Sequence, residues 1–276
     1  MKSLLLSTCL APSIATAIAP RQDAACTRES LVEAADAYIA AQTAGSLDPL
    51  TDFLADQWTY RQDNDIIDAA DGVLTTTALT IDHQRTIADV VECASYTELI
   101  AADPATPYVI GTQIRLEDGQ ITLIDSVAST TNSWLFDAGK TLDYVLGEDW
   151  FEIPEEDWDD REVIQAAGDA YLDMWSNGTA ADAVPWGTPC VRLEGSAYTG
   201  SGSPDDSCTP GIPSNSNQAP NTDRRYVVDQ AYGSVSILCL WEHMMNAADS
   251  HEFRLEGGKL RYVHTMTVCG GERCTL

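Results

Sequence analysis

The residues best suited to acid–base chemistry in this chain lie in one short stretch, SHEFRLEGGKLRYVHTMTVC, residues 250–269. It contains His251 and His264, two of the four histidines of the chain. The Gly-Gly pair in its middle predicts a two-residue hairpin turn between two strands. Counted outward from that turn, the antiparallel ladder places His251 directly opposite His264, with both imidazoles on one face.

A second predicted hairpin places a carboxylate in a comparable position. Its Asp-Gly turn at residues 118–119 puts Thr112 opposite Asp125. In both hairpins the face that carries these residues is otherwise mainly apolar, so it is the face expected to be buried. A polar group on a buried face must be hydrogen-bonded or must line a cavity.

These positions suggest proton transfer. Buried carboxylates and imidazoles have pKa values that an apolar pocket can tune for general acid–base catalysis. We expect Asp125 or His264 to act as the base, and His251 to orient or protonate a substrate. His83 is a further candidate, which either enters the pocket of the first hairpin or lies exposed at a strand end. The alternative is that His251 and His264 bond to each other or to the backbone and fill a core.

Other site residues follow from the same hypothesis. Four aromatic residues are candidate substrate-binding residues because they can form an apolar wall: Trp58, Tyr60, Tyr198 and Tyr262. Two facing histidines supply only two metal ligands and the chain has no His-Glu-x-x-His sequence, so we expect no metal site. A Gly-x-Ser-x-Gly sequence is also absent, which argues against a serine hydrolase.

The chain contains an internal repeat that supplies the elements around these residues. Three pairs of segments match in the same order at a nearly constant shift: ADAYIAAQTAG (35–45) with GDAYLDMWSNG (168–178), RTIAD (85–89) with RYVVD (225–229), and IRLEDGQITLIDSV (114–127) with FRLEGGKLRYVHTM (253–266). Together they indicate a tandem repeat. Asp125 and His264 occupy equivalent positions in the two copies.

The second of these matches repeats a pair of opposite charges. Arg85 and Asp89 lie four residues apart, as do Arg225 and Asp229. We expect each pair to form an ion pair that stabilises the edge of its own sheet.

Each copy follows the same α+β plan, a helix followed by an irregular segment and then strands. The strands are predicted near 79–89, 94–101, 108–117 and 120–130, and near 224–229, 234–242, 250–256 and 259–268. The predicted division is a signal peptide over 1–19, copy one over 26–146, an acidic linker over 147–161 and copy two over 162–276. Within copy two, residues 199–223 are rich in Gly, Ser, Pro and Asn, which suits either a mobile lid over a pocket or a disordered insertion.

The beginning of the chain predicts secretion. One lysine, an apolar run and Ala-Thr-Ala at residues 15–17 are typical of a secretory signal peptide. Asn177 begins an Asn-Gly-Thr glycosylation sequon. The formal net charge of −28 disfavours binding to nucleic acid or to an anionic membrane. We therefore expect a protein that is released outside the cell.

The cysteines agree with an oxidising compartment. Seven of the eight follow the predicted signal peptide, so at least one lacks an intramolecular partner. Cys239 lies in an apolar strand and is expected to be a buried, inert thiol. The other six could pair as Cys190 with Cys208, Cys269 with Cys274, and Cys26 with Cys93, although spacing alone does not prove these pairs.

Two long segments carry a resemblance to known proteins. Residues 81–115, IDHQRTIADVVECASYTELIAADPATPYVIGTQIR, and residues 249–269 resemble a family of secreted fungal proteins of largely undefined function. The plan of a helix and a curved antiparallel sheet resembles the SnoaL-like or nuclear-transport-factor-like cone, which ketosteroid isomerase shares. The resemblance implies two tandem SnoaL-like cones that pack sheet against sheet as a pseudo-dimer within one monomeric chain.

The resemblance also implies a class of function. Proteins with this cone are often isomerases, dehydratases or cyclases that act on hydrophobic small molecules by acid–base chemistry without a cofactor. We therefore expect such an enzyme with a hydrophobic small metabolite as its partner. The alternative is a non-catalytic secreted protein that binds a ligand or another protein, because a fold alone does not determine function.

Overall fold

The computed structural model describes residues 26–212, 217–270 and 274. This part of the chain is an α+β structure with four α-helices and two six-stranded sheets. The helices are α1 (Arg28–Ala44), α2 (Val73–Thr76), α3 (Ala138–Val145) and α4 (Arg161–Asp173). The strands are β1 (Leu54–Gln62), β2 (Asp65–Ile66), β3 (His83–Asp89), β4 (Ala94–Ala101), β5 (Tyr108–Glu117), β6 (Gln120–Ser129), β7 (Trp186–Glu194), β8 (Ala197–Tyr198), β9 (Asn221–Asp229), β10 (Ser234–Trp241), β11 (Ala247–Glu256) and β12 (Lys259–Val268).

The two sheets have the same topology, consistent with tandem domains. The first has the order β2-β1-β6-β5-β4-β3 and the second the order β8-β7-β12-β11-β10-β9. Four consecutive strands of each sheet form an antiparallel meander. The sequence predicts antiparallel sheets, and this is wrong for one strand pair in each sheet. β1 runs parallel to β6, and β7 runs parallel to β12. These strands are not consecutive in the chain, so no hairpin turn dictates their relative direction.

One helix packs on the outer face of each sheet. α1 begins at a capping box between Thr27 and Ser30 and ends at Gly45, whose φ of +63° suits a glycine. Tyr38 of α1 and Tyr171 of α4 come from the repeated Asp-Ala-Tyr sequence, and both are fully buried against their own sheets. The inner faces of the two sheets pack on each other around a third apolar cluster, to which strands of both sheets contribute. The central strands are therefore buried on both faces.

The second hairpin keeps its predicted register only near the turn. Glu256 pairs with Lys259, as expected from the Gly-Gly turn. Arg261 is then an extra residue on β12, which forms a β-bulge. Beyond this bulge, Glu252 and not His251 pairs with His264.

The bulge moves the two histidines to opposite faces, because a one-residue shift exchanges the faces of a strand. The prediction that His251 lies opposite His264 is therefore wrong, and His251 pairs with Thr265. The first hairpin has an equivalent bulge, so Thr112 pairs with Ser126 instead of Asp125. His251 lies on the outer face with α4, whereas His264 and Asp125 lie on the inner faces between the sheets.

The repeated arginine–aspartate pairs do not form within their own sheets. Asp229 of copy two binds Arg28 at the start of α1, and Asp89 of copy one binds Arg161 at the start of α4. Each aspartate also accepts a backbone N–H from the edge strand of the other copy, Asp229 from Ala88 at 2.8 Å and Asp89 from Val228 at 2.9 Å. These reciprocal contacts join β3 and β9 across a local pseudo-two-fold axis.

Three disulfides connect Cys26 with Cys93, Cys190 with Cys208, and Cys269 with Cys274. Among the cysteines of the described residues, Cys239 is free and buried. The proposed signal peptide lies outside the described residues. None of the helices in the described ranges combines the length and the hydrophobicity that a membrane span requires.

Candidate active site

Copy two contains a cavity of about 190 Å³ between its sheet and the turn that follows α4. Both strands of the second hairpin contribute to its floor. Gly211 and Gln218, on either side of residues that the structure does not describe, border the cavity. The lining residues are Trp134, Trp175, Glu194, Gly211, Gln218, Trp241, Met244, His251, Thr265 and Thr267.

A buried aspartate–histidine pair lies at this floor. Asp249 and His251 are two residues apart on β11, so their side chains share the outer face. Nδ1 of His251 lies 2.5 Å from Oδ2 of Asp249, and the Thr267 hydroxyl donates to Oδ1 of Asp249 at 2.6 Å. With both carboxylate oxygens accepting hydrogen bonds, Asp249 holds the imidazole with its Nδ1–H directed at the carboxylate and with Nε2 available to act as a base.

The surroundings of His251 are aromatic. Its ring stacks on Phe253 at 5.6 Å and lies 5.6 Å from Trp241 and 5.7 Å from Tyr171. His251 itself is almost completely buried. The indole N–H of Trp175 is buried and has no acceptor among the described residues, so it is available to a bound molecule.

Charged side chains lie at another side of the cavity. Arg192 is buried on β7 and donates to the Pro210 carbonyl at 2.6 Å. Its Nη1 lies 3.3 Å from Oε1 of Glu194, which also accepts a long hydrogen bond from the Tyr171 hydroxyl. Oε2 of Glu194 has no partner among the described residues, and the Glu194 side chain is 25% exposed.

Copy one has an apolar or uncharged residue at every equivalent position. The strand pairings align Asp249 with Ile110, His251 with Thr112, Glu194 with Gln62, Arg192 with Tyr60, Cys239 with Leu99, and Trp241 with Ala101. In copy one, Thr112 bonds to the Tyr38 hydroxyl at 2.7 Å and to Ser126 at 2.8 Å within a packed core. The same framework therefore carries acid–base groups in copy two and a core in copy one.

His264 lies outside this cavity, in a buried ionic network between the sheets. Its Nδ1 is 3.0 Å from Glu98 of β4, and its Nε2 is 2.7 Å from Glu148, which follows α3. Burial opposes a charge on the imidazole, but the carboxylates of Glu148 and Glu98 outweigh it and raise the pKa of His264 to about 10. His264 is thus an imidazolium that donates from both nitrogens and holds elements of both copies together.

Glu98, Glu252 and His264 form a group with the composition of a metal site. Arg85 already occupies its centre, however, since Nη2 lies 2.5 Å from Glu252 and 3.3 Å from Glu98. Trp150 covers the guanidinium at 3.5 Å. A cation would have to displace a buried guanidinium, so these residues do not fit a metal ion.

Asp125 also lies between the sheets. Its Oδ2 accepts from Nε of Arg225 at 2.7 Å, and Arg61 is 3.8 Å away. Burial raises the pKa of the Asp125 carboxyl despite the attraction of Arg225. Asp125 lines neither the copy-two cavity nor the copy-one groove described below.

The remaining predicted site residues are dispersed. His83 is half-buried at the start of β3, on the same face as Arg85, and burial lowers its pKa. Tyr198 stacks on Tyr144 at 4.3 Å, and Tyr262 stacks on Trp150 at 5.4 Å, both on the side of the ionic network. Trp58 and Tyr60 line an open groove of about 630 Å³ on copy one. Of the predicted residues, the structure places only His251 in the copy-two cavity.

Asp249, Glu194 and the tryptophans of the cavity are not among the residues that the sequence predicts for the site. The alternation of β11 contains a signal for Asp249, because residues 249 and 251 share a face whatever the register. Glu194 and Trp175 carry no such signal, since β7 and α4 meet the hairpin only in the folded chain. Asn177, the predicted glycosylation site, is exposed in a turn where its Oδ1 accepts from the Thr179 hydroxyl at 2.8 Å.

Comparisons with known proteins give little functional information. Residues 157–267, most of copy two, match a family described as a domain of unknown function, DUF8021. No curated protein matches. The similar solved structures include a candidate isomerase from Rhodopseudomonas palustris, with 17% identity, 38% of this chain and 92% of that chain covered, and a TM-score of 0.30. They also include a DUF4783 family protein from Bacteroides ovatus, with 13% identity, coverage of 34% and 94%, and a TM-score of 0.25.

Proposed function

We propose that copy two is a cofactor-independent acid–base enzyme with His251 as its general base and Asp249 as the residue that orients the base. The observation that carries the proposal is the buried Asp249–His251 pair at the floor of an aromatic cavity, at positions where copy one has Ile110 and Thr112. A core needs neither group, and burying both is costly unless they are used or fully paired.

The proposed chemistry is proton transfer at carbon. His251 Nε2 removes a proton next to a carbonyl group, and the Asp249 carboxylate stabilises the imidazolium that forms. The Trp175 N–H is a donor for the oxygen on which negative charge develops. Return of the proton to another carbon gives isomerisation, loss of a hydroxyl as water gives dehydration, and attack of the carbanion on a second carbonyl gives cyclisation.

We further propose the finer assignments that go with this function. The two halves are SnoaL-like cones joined through an acidic linker, and only copy two is catalytic. The chain is secreted after removal of residues 1–19 and is glycosylated at Asn177. The three disulfides support an oxidising destination. The substrate is a small hydrophobic ring compound, because tryptophans supply much of the cavity wall.

Exchange of carbon-bound protons tests the base without knowledge of the product. The protein is incubated in D₂O with small ring ketones such as 1-indanone and 2-cyclohexen-1-one, and deuterium incorporation is followed by NMR. Quenching of tryptophan fluorescence reports binding in the same samples. His251→Asn keeps a donor towards Asp249 but removes Nε2. His243→Asn makes the same change at an exposed histidine and is the matched control.

We expect the wild type and His243→Asn to accelerate exchange, and His251→Asn to lose roughly 100- to 10,000-fold of the acceleration while it still binds the ketone. Exchange that is equally fast in His251→Asn would refute the role of His251. Ketone binding without exchange in the wild type would favour the alternative, a non-catalytic secreted protein that binds a ligand.

A further inference from the structure

The copy-two cavity combines features that together specify the charge of its ligand. Trp175 and Trp241 lie 5.5 Å apart at an interplanar angle of 58° and form two adjoining walls. Trp134, from the segment after β6, adds a third tryptophan to the lining. Its backbone N–H donates to the Thr267 carbonyl at 3.1 Å, so copy one closes the cavity of copy two.

Indole rings have a negative face and are the best aromatic partners for cations. Met244, with its polarisable sulfur, adds a further soft contact to the same cavity. Trp241 is held in place because its Nε1 donates to Gln218 at 2.9 Å. At least one indole of this wall is therefore fixed in place before a cationic group binds.

The carboxylate of Glu194 distinguishes this wall from a merely apolar one. Its Oε1 is engaged with Arg192 and Tyr171, whereas its Oε2 has no partner among the described residues. Asp249 does not line the cavity itself but binds His251, which does, and the buried Arg192 is the cation that pairs with Glu194.

We propose that this cavity selects a small organic cation, a quaternary ammonium or protonated amine that lies against the tryptophans with its positive charge towards Glu194. The inference rests on the proposed function and refines its substrate class from a hydrophobic ring compound to one that also carries a cationic group. The net charge of the chain, −28, favours the approach of such a molecule. Copy one, with Gln62 and Ala101 at the equivalent positions, lacks both the carboxylate and the second tryptophan.

A pair of isosteric probes tests the proposal. Choline carries a trimethylammonium group, and 3,3-dimethylbutan-1-ol has the same shape with a neutral carbon in place of nitrogen. Their dissociation constants are measured by calorimetry and by tryptophan fluorescence. Glu194→Gln installs the residue that copy one carries, and Glu92→Gln removes one exposed carboxylate of copy one as a matched control.

We expect the wild type and Glu92→Gln to bind choline at least roughly tenfold more tightly than the neutral alcohol. In Glu194→Gln this preference should disappear through weaker choline binding, with the affinity for the alcohol unchanged. Equal affinities in the wild type, binding of neither probe, or an equal loss for both probes in Glu194→Gln would overturn the proposal. His251→Asn should retain choline binding, so the ligand class and the catalytic role can fail separately. If the protein exchanges protons of neutral ketones but does not prefer choline, only the proposal of a cationic ligand is refuted. If it prefers choline but exchanges no protons, only the catalytic role is refuted.

Discussion

Replacement of His264 should remove a large, pH-dependent part of the stability of this protein. The imidazolium lies between Glu98 and Glu148, and both carboxylates depend on it as a buried counter-ion. Arg85, Glu252, the half-buried His83 and two tyrosines, Tyr96 and Tyr198, also face this network. The contacts connect β4, β12 and the segment after α3, so their loss should weaken the packing between the copies.

The pKa of His264 gives the magnitude and the pH range. Its pKa is about 10 in the folded protein, against an ordinary value of 6.5. At about 1.4 kcal/mol per pH unit, this difference corresponds to a stabilisation on the order of 5 kcal/mol. Because the folded pKa is the higher one, the stabilisation is fully present below pH 6.5 and is lost as the pH rises towards 10.

The measurement is urea unfolding of the oxidised protein, followed by tryptophan fluorescence at several values between about pH 6 and about pH 9. His264→Gln is compared with the wild type and with His243→Gln, which removes an exposed histidine. If His264→Gln does not fold, the double variant with Glu148→Gln removes the imidazolium together with one carboxylate and leaves Glu98 with Arg85.

We expect the free energy of unfolding of the wild type to exceed that of the variant, with the difference decreasing by about 1.4 kcal/mol per pH unit above pH 6.5. His243→Gln should follow the wild type at every pH. A difference between the wild type and the variant that stays constant across this range would show that His264 is neutral in the folded protein, and would refute the ionic network as described.

Three further predictions concern other sites. Asp249→Asn should lower the rate of ketone proton exchange by roughly 100- to 10,000-fold without preventing ketone binding, because an amide does not hold the His251 imidazole in the tautomer with its proton on Nδ1. The deuterium exchange assay measures this loss of rate. Asp125→Ala should destabilise the protein by about 1–3 kcal/mol in urea unfolding, because Arg225 loses its buried acceptor but keeps the exposed Asp223 at 2.6 Å, whereas replacement of both residues by apolar ones should cost less. Cys26→Ser with Cys93→Ser should lower the free energy of unfolding by about 4 kcal/mol, since the disulfide spans 67 residues, and the same unfolding experiment detects it.

Much of the fold follows from local patterns in the sequence. The repeated Asp-Ala-Tyr sequence, the Asp-Gly and Gly-Gly turns and the apolar runs indicate two copies of a helix and a meander, and the structure contains two such halves. The strand predicted near 94–101 is β4, and the one predicted near 259–268 is β12. These signals survive because capping, turn chemistry and periodicity depend on neighbours within a few residues.

The face assignment failed for a specific physical reason. The turn determines the register only as far as the first bulge, and the extra residue at Arg261 exchanges the faces of β12. An apolar pattern could not reveal the exchange, because the strands are buried on both sides, against a helix on one face and against the other sheet on the opposite face. His251 and His264, which the sequence presents as partners, therefore lie in different environments.

The candidate site was accessible from the sequence only in part. The sequence predicts His251 as a histidine on a buried face, and its spacing from Asp249 places both side chains on one face whatever the register. Glu194, Trp134 and Trp175 belong to a strand, a connecting segment and the turn after a helix, which are far apart in the chain. No spacing rule relates such residues.

By itself, then, the sequence determined the tandem α+β plan, the hairpin turns and the residue types capable of proton transfer, because these depend on local chemistry. The tertiary structure decided which of those residues meet. Packing of the two sheets turned His264 and Asp125 into buried counter-ions, since their carboxylate and guanidinium partners lie in other segments of the chain. Packing of α4, β7 and the segment after β6 around the second hairpin left His251 with Asp249 at a tryptophan-lined cavity.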